Sequence, residues 1–159
     1  MQKEIQKLDQ AVADFINLIH SLDPKDLQSS KTYEWGPKET LCHIVFWHEE
    51  YVRVLSRQLK GQNPNLLVGT FPGYNAQAVR KFINLPSADL VLRLQKAHQK
   101  LHLLASGEIP AKFRVAFKEG AKLRDFDNLL DRISAHFNSH IRQLKRKLKL
   151  TSTLIPLYH

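Results

Sequence analysis

Three histidines, at positions 43, 136 and 140, are the residues of this chain whose type and spacing indicate chemistry. His136 and His140 are four positions apart, and residues at this spacing on a helix lie on one face, one turn from each other. Two imidazoles placed in this way can chelate one metal ion, and a third from a neighbouring helix can complete a three-His site. The sequence therefore predicts a metal site formed by His43, His136 and His140 if their helices pack side by side.

Apolar residues recur every three or four positions in four long segments, which is the pattern of amphipathic helices. Pro37 suits the first turn of the second helix, and Ser87 suits the N-cap of the third. The predicted long helices cover about residues 3–22, 37–60, 87–106 and 125–150. These four helices predict an all-α four-helix bundle.

Shorter elements and a tail complete the predicted organisation. A short helix is predicted over Tyr74–Phe82, and the connection 107–124 contains an alternating segment, 113–117, that suits a short extended piece. The bundle is predicted to form one domain over residues 1–150, followed by a C-terminal tail over residues 151–159.

The three histidines fall at positions from which they can meet. His136 and His140 lie on the apolar seam of the last helix, and His43 lies at the edge of the apolar face of the second. A second pair with the same spacing, His98 and His102, shows how readily such a pair arises in a chain with eight histidines. From spacing alone, each of these residues is either a metal ligand or a histidine satisfied within the core.

His48, Glu49 and Glu50 follow Trp47 on the second predicted helix. An imidazole or carboxylate beside a metal site can act as a general acid or base, so His48 and Glu50 are the candidate catalytic residues. The alternative is that the carboxylates are simply exposed on the helix surface. The sequence has no Gly-rich phosphate-binding loop and no nucleophile elbow.

Composition limits the classes of protein to consider. The 159 residues carry a net charge of +9, concentrated in the connection 107–124 and near the end of the last helix. This charge permits binding to nucleic acid, although a solvated basic surface is the favoured interpretation. No apolar run approaches the ~20 residues that span a bilayer, and the N-terminus lacks the apolar core of a signal peptide. With a single cysteine, Cys42, these features predict a cytoplasmic protein without membrane association.

The chain resembles the DinB/YfiT-like superfamily of four-helix bundles in three segments that occur in the same order. These are Trp35-Gly-Pro-Lys38, His43-Ile-Val-Phe-Trp47-His48-Glu49-Glu50 and His136-Phe-Asn-Ser-His140-Ile-Arg-Gln143. The resemblance implies that His43, His136 and His140 bind a divalent metal ion, usually nickel or zinc, and that the chain forms a homodimer. Residues 74–86 are also similar to the ClbS/DfsB-like branch, which is associated with protection against a genotoxic natural product.

Two classes of function follow. The first is a metal-dependent enzyme, for which the resemblance implies hydrolase or thiol-dependent transferase chemistry on a small molecule. The second is a non-enzymatic binding or protection module of the ClbS/DfsB-like type, or a basic helical domain associated with nucleic acid.

Overall fold

The computed structural model describes the backbone of residues 2–30 and 34–154, and side chains as far as residue 148. Five α-helices and one short 3-10 turn, Pro24–Leu27, make up its regular structure. The α-helices are α1 (Gln2–His20), α2 (Pro37–Leu59), α3 (Phe71–Phe82), α4 (Ser87–Ser106) and α5 (Phe126–Leu154). No helix in these ranges is both long enough and apolar enough to cross a membrane.

The four long helices form the predicted all-α bundle. Helix α2 packs on α4, α4 on α1 and α1 on α5, while α5 closes the ring against α2 and α3 packs on the outside of α2. The apolar stripes that the sequence predicts are buried between them. At the centre, the rings of Phe15 on α1 and Phe137 on α5 meet edge to face, with centroids 5.7 Å apart. This packing fixes the rotation of α5 and therefore the direction in which its histidines point.

The start of α2 is anchored by a buried carboxylate. Glu39 accepts hydrogen bonds from the backbone N–H of Gly36 at 2.8 Å and from that of Ser30 at 2.8 Å. A carboxylate in the first turn of a helix satisfies free backbone donors and complements the helix dipole. It also ties the preceding loop to α2 one turn before His43.

Several element boundaries differ from the prediction, and α1 ends at His20 rather than near residue 22. Helix α3 begins at Phe71 rather than Tyr74, because the Thr70 hydroxyl caps it by accepting from Gly73 N–H at 3.1 Å. Ser87 is the first residue of α4 and not its N-cap, a position that Pro86 holds. Helix α5 continues to Leu154 rather than ending near 150, since no Gly or Pro interrupts residues 151–154. Residues 155–159 of the predicted tail lie outside the described residues.

The connection 107–125 contacts the loop before α3. Val115 and Arg124 form an isolated antiparallel bridge with two N–H···O bonds of 2.9 Å, and Gly120 has φ +79° in the turn between them. Lys118 forms a parallel bridge with Leu67 of the loop before α3. The predicted extended piece is therefore present as isolated bridges, and the connection 107–125 contributes part of the wall of the cavity described below.

Candidate metal centre

The three predicted histidines meet between α2 and α5. The Nε2 atoms of His43 and His136 are 2.9 Å apart, and those of His136 and His140 are also 2.9 Å apart. The potential ligand atoms of all three residues lie within 4.8 Å of one another. For comparison, two nitrogens bound to one ion at 2.0–2.1 Å are separated by about 3 Å. In the described part of the chain this is the one group of three such side chains that can hold a metal ion.

Asn75 on α3 determines which nitrogen of His43 is free. Its Oδ1 atom lies 2.7 Å from Trp47 Nε1 and 3.1 Å from His43 Nδ1. An indole N–H can only donate, so the amide atom that faces it must be the oxygen. The same oxygen must then accept from a protonated His43 Nδ1. The lone pair of His43 is consequently on Nε2, the atom directed at His136.

Hydrogen bonding within the cluster does not satisfy all three rings. His136 Nε2 has one in-plane hydrogen-bonding direction, yet it lies 2.9 Å from the Nε2 atoms of both His43 and His140. It cannot form two well-aligned hydrogen bonds at once. A cation placed among the three Nε2 lone pairs satisfies all of them together. The donor set therefore fits a metal ion.

The surroundings keep these imidazoles neutral, as metal ligands must be. Burial, followed by the neighbouring rings of His136 and His140, lowers the pKa of His43 to about 3. Burial and the His140 ring lower the pKa of His136 to about 4, and burial lowers the pKa of His140. The Trp35 ring lies 5.2 Å from the His43 ring and shields it on one side.

A protein-family model matches most of the chain. The family model for the DinB superfamily matches residues 7–144, a span that includes all three histidines and parts of all four long helices. The chain belongs to the DinB superfamily. Neither the curated proteins nor the solved structures compared with this DinB protein gave a match. The resemblance stated from the sequence is thus confirmed at the level of the superfamily.

A cavity of about 500 Å³ adjoins the cluster, with His43 and His136 in its wall. Pockets of this size hold small organic molecules. Its described lining combines aromatic, polar and cationic side chains. They include Trp47, Tyr51, Phe71, Asn75, Phe117, Lys122, Arg124 and Arg132.

Neither of the two candidate catalytic residues lines the cavity. Glu50 is not exposed but 8 % accessible, and its carboxylate is bound by Arg53, with Oε2 accepting from Nε at 2.9 Å. Arg53 also donates to the backbone oxygen of Asn65 at 3.0 Å, so the pair fastens the loop after α2. A role for Glu50 or His48 as acid or base stays a prediction.

His48 begins a separate hydrogen-bonded chain that leads away from the metal centre. It is completely buried, and its Nε2 lies 3.1 Å from Nδ1 of His98 on α4. His98 Nε2 lies 2.7 Å from a carboxylate oxygen of Asp9 on α1, and His102 Nδ1 lies 3.0 Å from the same oxygen. The second pair with four-residue spacing, His98 and His102, therefore shares hydrogen bonds with Asp9, and these bonds link α4 to α1.

Asn75 is the functional residue that the sequence analysis missed. It lies 32 positions from His43, and nothing in its local pattern indicates that its side chain faces α2. A hydrogen-bond partner on the other ring nitrogen orients a metal-binding imidazole and sets its tautomer. The one signal in the sequence is its place within the segment 74–86 that resembles a DinB-like branch.

We expect Asn75→Ala to weaken binding of Zn²⁺ or Ni²⁺ about 10- to 100-fold while leaving all three histidines in place. The loss follows because His43 can then rotate and carry its proton on Nε2. Competition with a chromophoric chelator measures the affinity. Gln77→Ala, at an exposed position on the same helix, is the matched control. Equal metal affinities in the two variants would show that Asn75 does not orient the His43 imidazole.

His48 makes stability sensitive to acid. Burial, followed by the His98 ring, lowers the pKa of His48 to about 3, whereas an imidazole in an unfolded chain titrates at about 6.5. Between these values the unfolded chain binds a proton that the folded chain does not, so the free energy of unfolding falls as the pH falls.

We therefore expect His48→Phe to reduce that pH slope by up to about 1.4 kcal/mol per pH unit in metal-free protein. Urea unfolding at a series of pH values between the folded and unfolded pKa of His48 measures the slope. His20→Phe, at an exposed position on α1, controls for the change in composition. The same slope in wild type and His48→Phe would refute the idea of a buried neutral imidazole.

Proposed function

We propose that this DinB protein is a metal-dependent enzyme of hydrolase or thiol-dependent transferase type that acts on a small molecule. Its ligands would be His43, His136 and His140, and its ion nickel or zinc. The observation that carries the proposal is the convergence of three Nε2 atoms beside a cavity that two of these histidines, His43 and His136, line. A site for a metal and a space for an organic molecule are thereby adjacent.

A divalent ion held by three neutral imidazoles supplies Lewis acidity toward a water molecule or a polar group of the substrate. The chain's own residues prepare the site. Asn75 holds His43 with its Nε2 lone pair directed at the other ligands. Trp47 and Phe71, whose ring centroids are 5.4 Å apart, supply apolar contact area in the cavity lining.

Metal analysis of the purified chain tests this proposal. We expect about one Zn²⁺ or Ni²⁺ per chain after equilibration and removal of free ion, and less than a tenth of that in His136→Ala/His140→Ala. His98→Ala/His102→Ala removes a pair with the same spacing from α4 and is the matched control. Circular dichroism verifies that each variant is helical. Equal metal content in wild type and His136→Ala/His140→Ala would reject the site.

A non-enzymatic binding module of the ClbS/DfsB-like type is the second candidate, because the cavity by itself can hold a small molecule. Turnover distinguishes the two: a binding module retains its ligand unchanged with or without metal. Binding of nucleic acid by the exposed cations of α5, such as Arg142 and Lys145, would appear as an affinity that falls steeply with salt. Homodimer formation and a cytoplasmic location stay predictions.

A further inference from the structure

Three cationic side chains line the cavity beside the three-His cluster. Lys122 and Arg124 come from the connection before α5, and Arg132 comes from α5 itself. No acidic side chain is present among the described residues that line the cavity. Arg124 donates to the neutral amide oxygen of Asn128 at 3.1 Å. Three cations in the lining of one cavity raise the local concentration of anions.

Aromatic side chains also line the cavity. The rings of Tyr51 and Phe117 are 4.7 Å apart, and those of Trp47 and Phe71 are 5.4 Å apart. These rings offer broad apolar contact area. Small-molecule sites commonly combine an apolar lining with a few convergent polar groups that fix the orientation of the ligand.

We propose that this cavity binds a small organic anion with an apolar body. The apolar part packs among Trp47, Tyr51 and Phe117. The acidic group, a carboxylate or a phosphate, lies toward Lys122, Arg124 and Arg132. The inference rests on the proposed function, because this molecule would be the substrate presented to the metal centre, and it names the chemical class of that substrate.

Arginine on the cavity wall is suited to this role. Its planar guanidinium makes paired, charge-assisted hydrogen bonds to carboxylate and phosphate oxygens, and such bonds are about twice as strong as neutral ones. A neutral amide of the same shape keeps the apolar contacts but loses these bonds. The acid should therefore bind about tenfold more tightly than its amide.

Isothermal titration calorimetry on the full chain, freed of metal with a chelator, tests the inference without any contribution from the ion. The probes are 4-phenylbutanoate, phenyl phosphate, the neutral 4-phenylbutanamide, and acetate, which has an acidic group but no apolar body. We expect at least one of the two aromatic acids to bind about tenfold more tightly than the amide. We also expect acetate to bind more weakly than either aromatic acid.

Charge variants locate the site. Arg124→Gln/Arg132→Gln should remove the preference for acid over amide, whereas Arg142→Gln/Arg146→Gln removes the same net charge from the exposed end of α5 and should preserve it. Equal affinity for acids and amide, no detectable binding of either acid, or equal loss in both double variants would each overturn the inference.

The outcome is independent of the metal proposal. One outcome is that wild type and His136→Ala/His140→Ala both prefer the acid to the amide, while neither protein binds metal. This outcome supports the cavity inference and rejects the proposed metal-dependent enzyme. If the wild type binds metal but does not prefer acids, the three-His site stands and the substrate class is wrong.

Discussion

Zn²⁺ or Ni²⁺ at a hundred times its dissociation constant is expected to raise the free energy of unfolding of the metal-free chain by about 2.7 kcal/mol. The ion stabilises the folded state because only there do His43, His136 and His140 converge. For a chain of this size the same change corresponds to an increase in melting temperature of about 5–10 °C. Thermal unfolding followed by circular dichroism measures it, and a chelator should reverse it.

Single variants show whether this stabilisation comes from the cluster. His43→Ala removes the α2 ligand and should abolish the increase in melting temperature, since two imidazoles from one helix cannot link α5 to α2. His20→Ala, at an exposed position on α1, should retain the full increase. A metal-dependent increase of equal size in His43→Ala would mean that the ion stabilises the protein from another site.

Phe137→Ala is expected to lower the free energy of unfolding by about 3–5 kcal/mol, the cost of replacing a buried aromatic ring by a cavity. Phe137 is 1 % accessible and packs edge to face against Phe15, and its ring also lies 5.3 Å from that of His48. The substitution therefore removes contacts to both α1 and α2 at once. Urea unfolding monitored by circular dichroism gives the change.

Leu103→Ala provides the comparison, because Leu103 is 72 % accessible on α4. Its replacement should change the free energy of unfolding by no more than about 0.5 kcal/mol. Similar losses in Phe137→Ala and Leu103→Ala would contradict the packing at the centre of the bundle. If Phe137→Ala does not fold, Phe137→Leu keeps most of the volume and should show a smaller loss in the same direction.

Helical periodicity accounts for most of what the sequence predicted. The three- and four-residue steps of apolar side chains identify the long helices, and they place His136 and His140 on the buried seam of α5. The same reasoning places His43 near the apolar face of α2. Periodicity defines which face of a helix is buried, and it is therefore sufficient to bring these three side chains to a common interior.

Periodicity does not define which neighbour each buried side chain meets. His48 follows His43 by five positions, about 140° around the helix, so it faces α4 and pairs with His98. Glu50 follows by seven positions and returns to nearly the same face, but two turns away, where Arg53 binds it. Asn75 reaches His43 only because α3 packs on α2, and no local pattern encodes that contact.

The side of the bundle between α2 and α5 is the most sparsely packed of its four sides in the described residues, and the opposite side, between α1 and α4, is packed more fully. Partial opening of the molecule would therefore begin between α2 and α5, with the α1–α4 contact as the hinge. An ion bound by His43 of α2 and His136 of α5 would link the two helices and oppose this opening. Hydrogen exchange of backbone amides facing the gap would then slow on metal binding more than that of amides along the hinge.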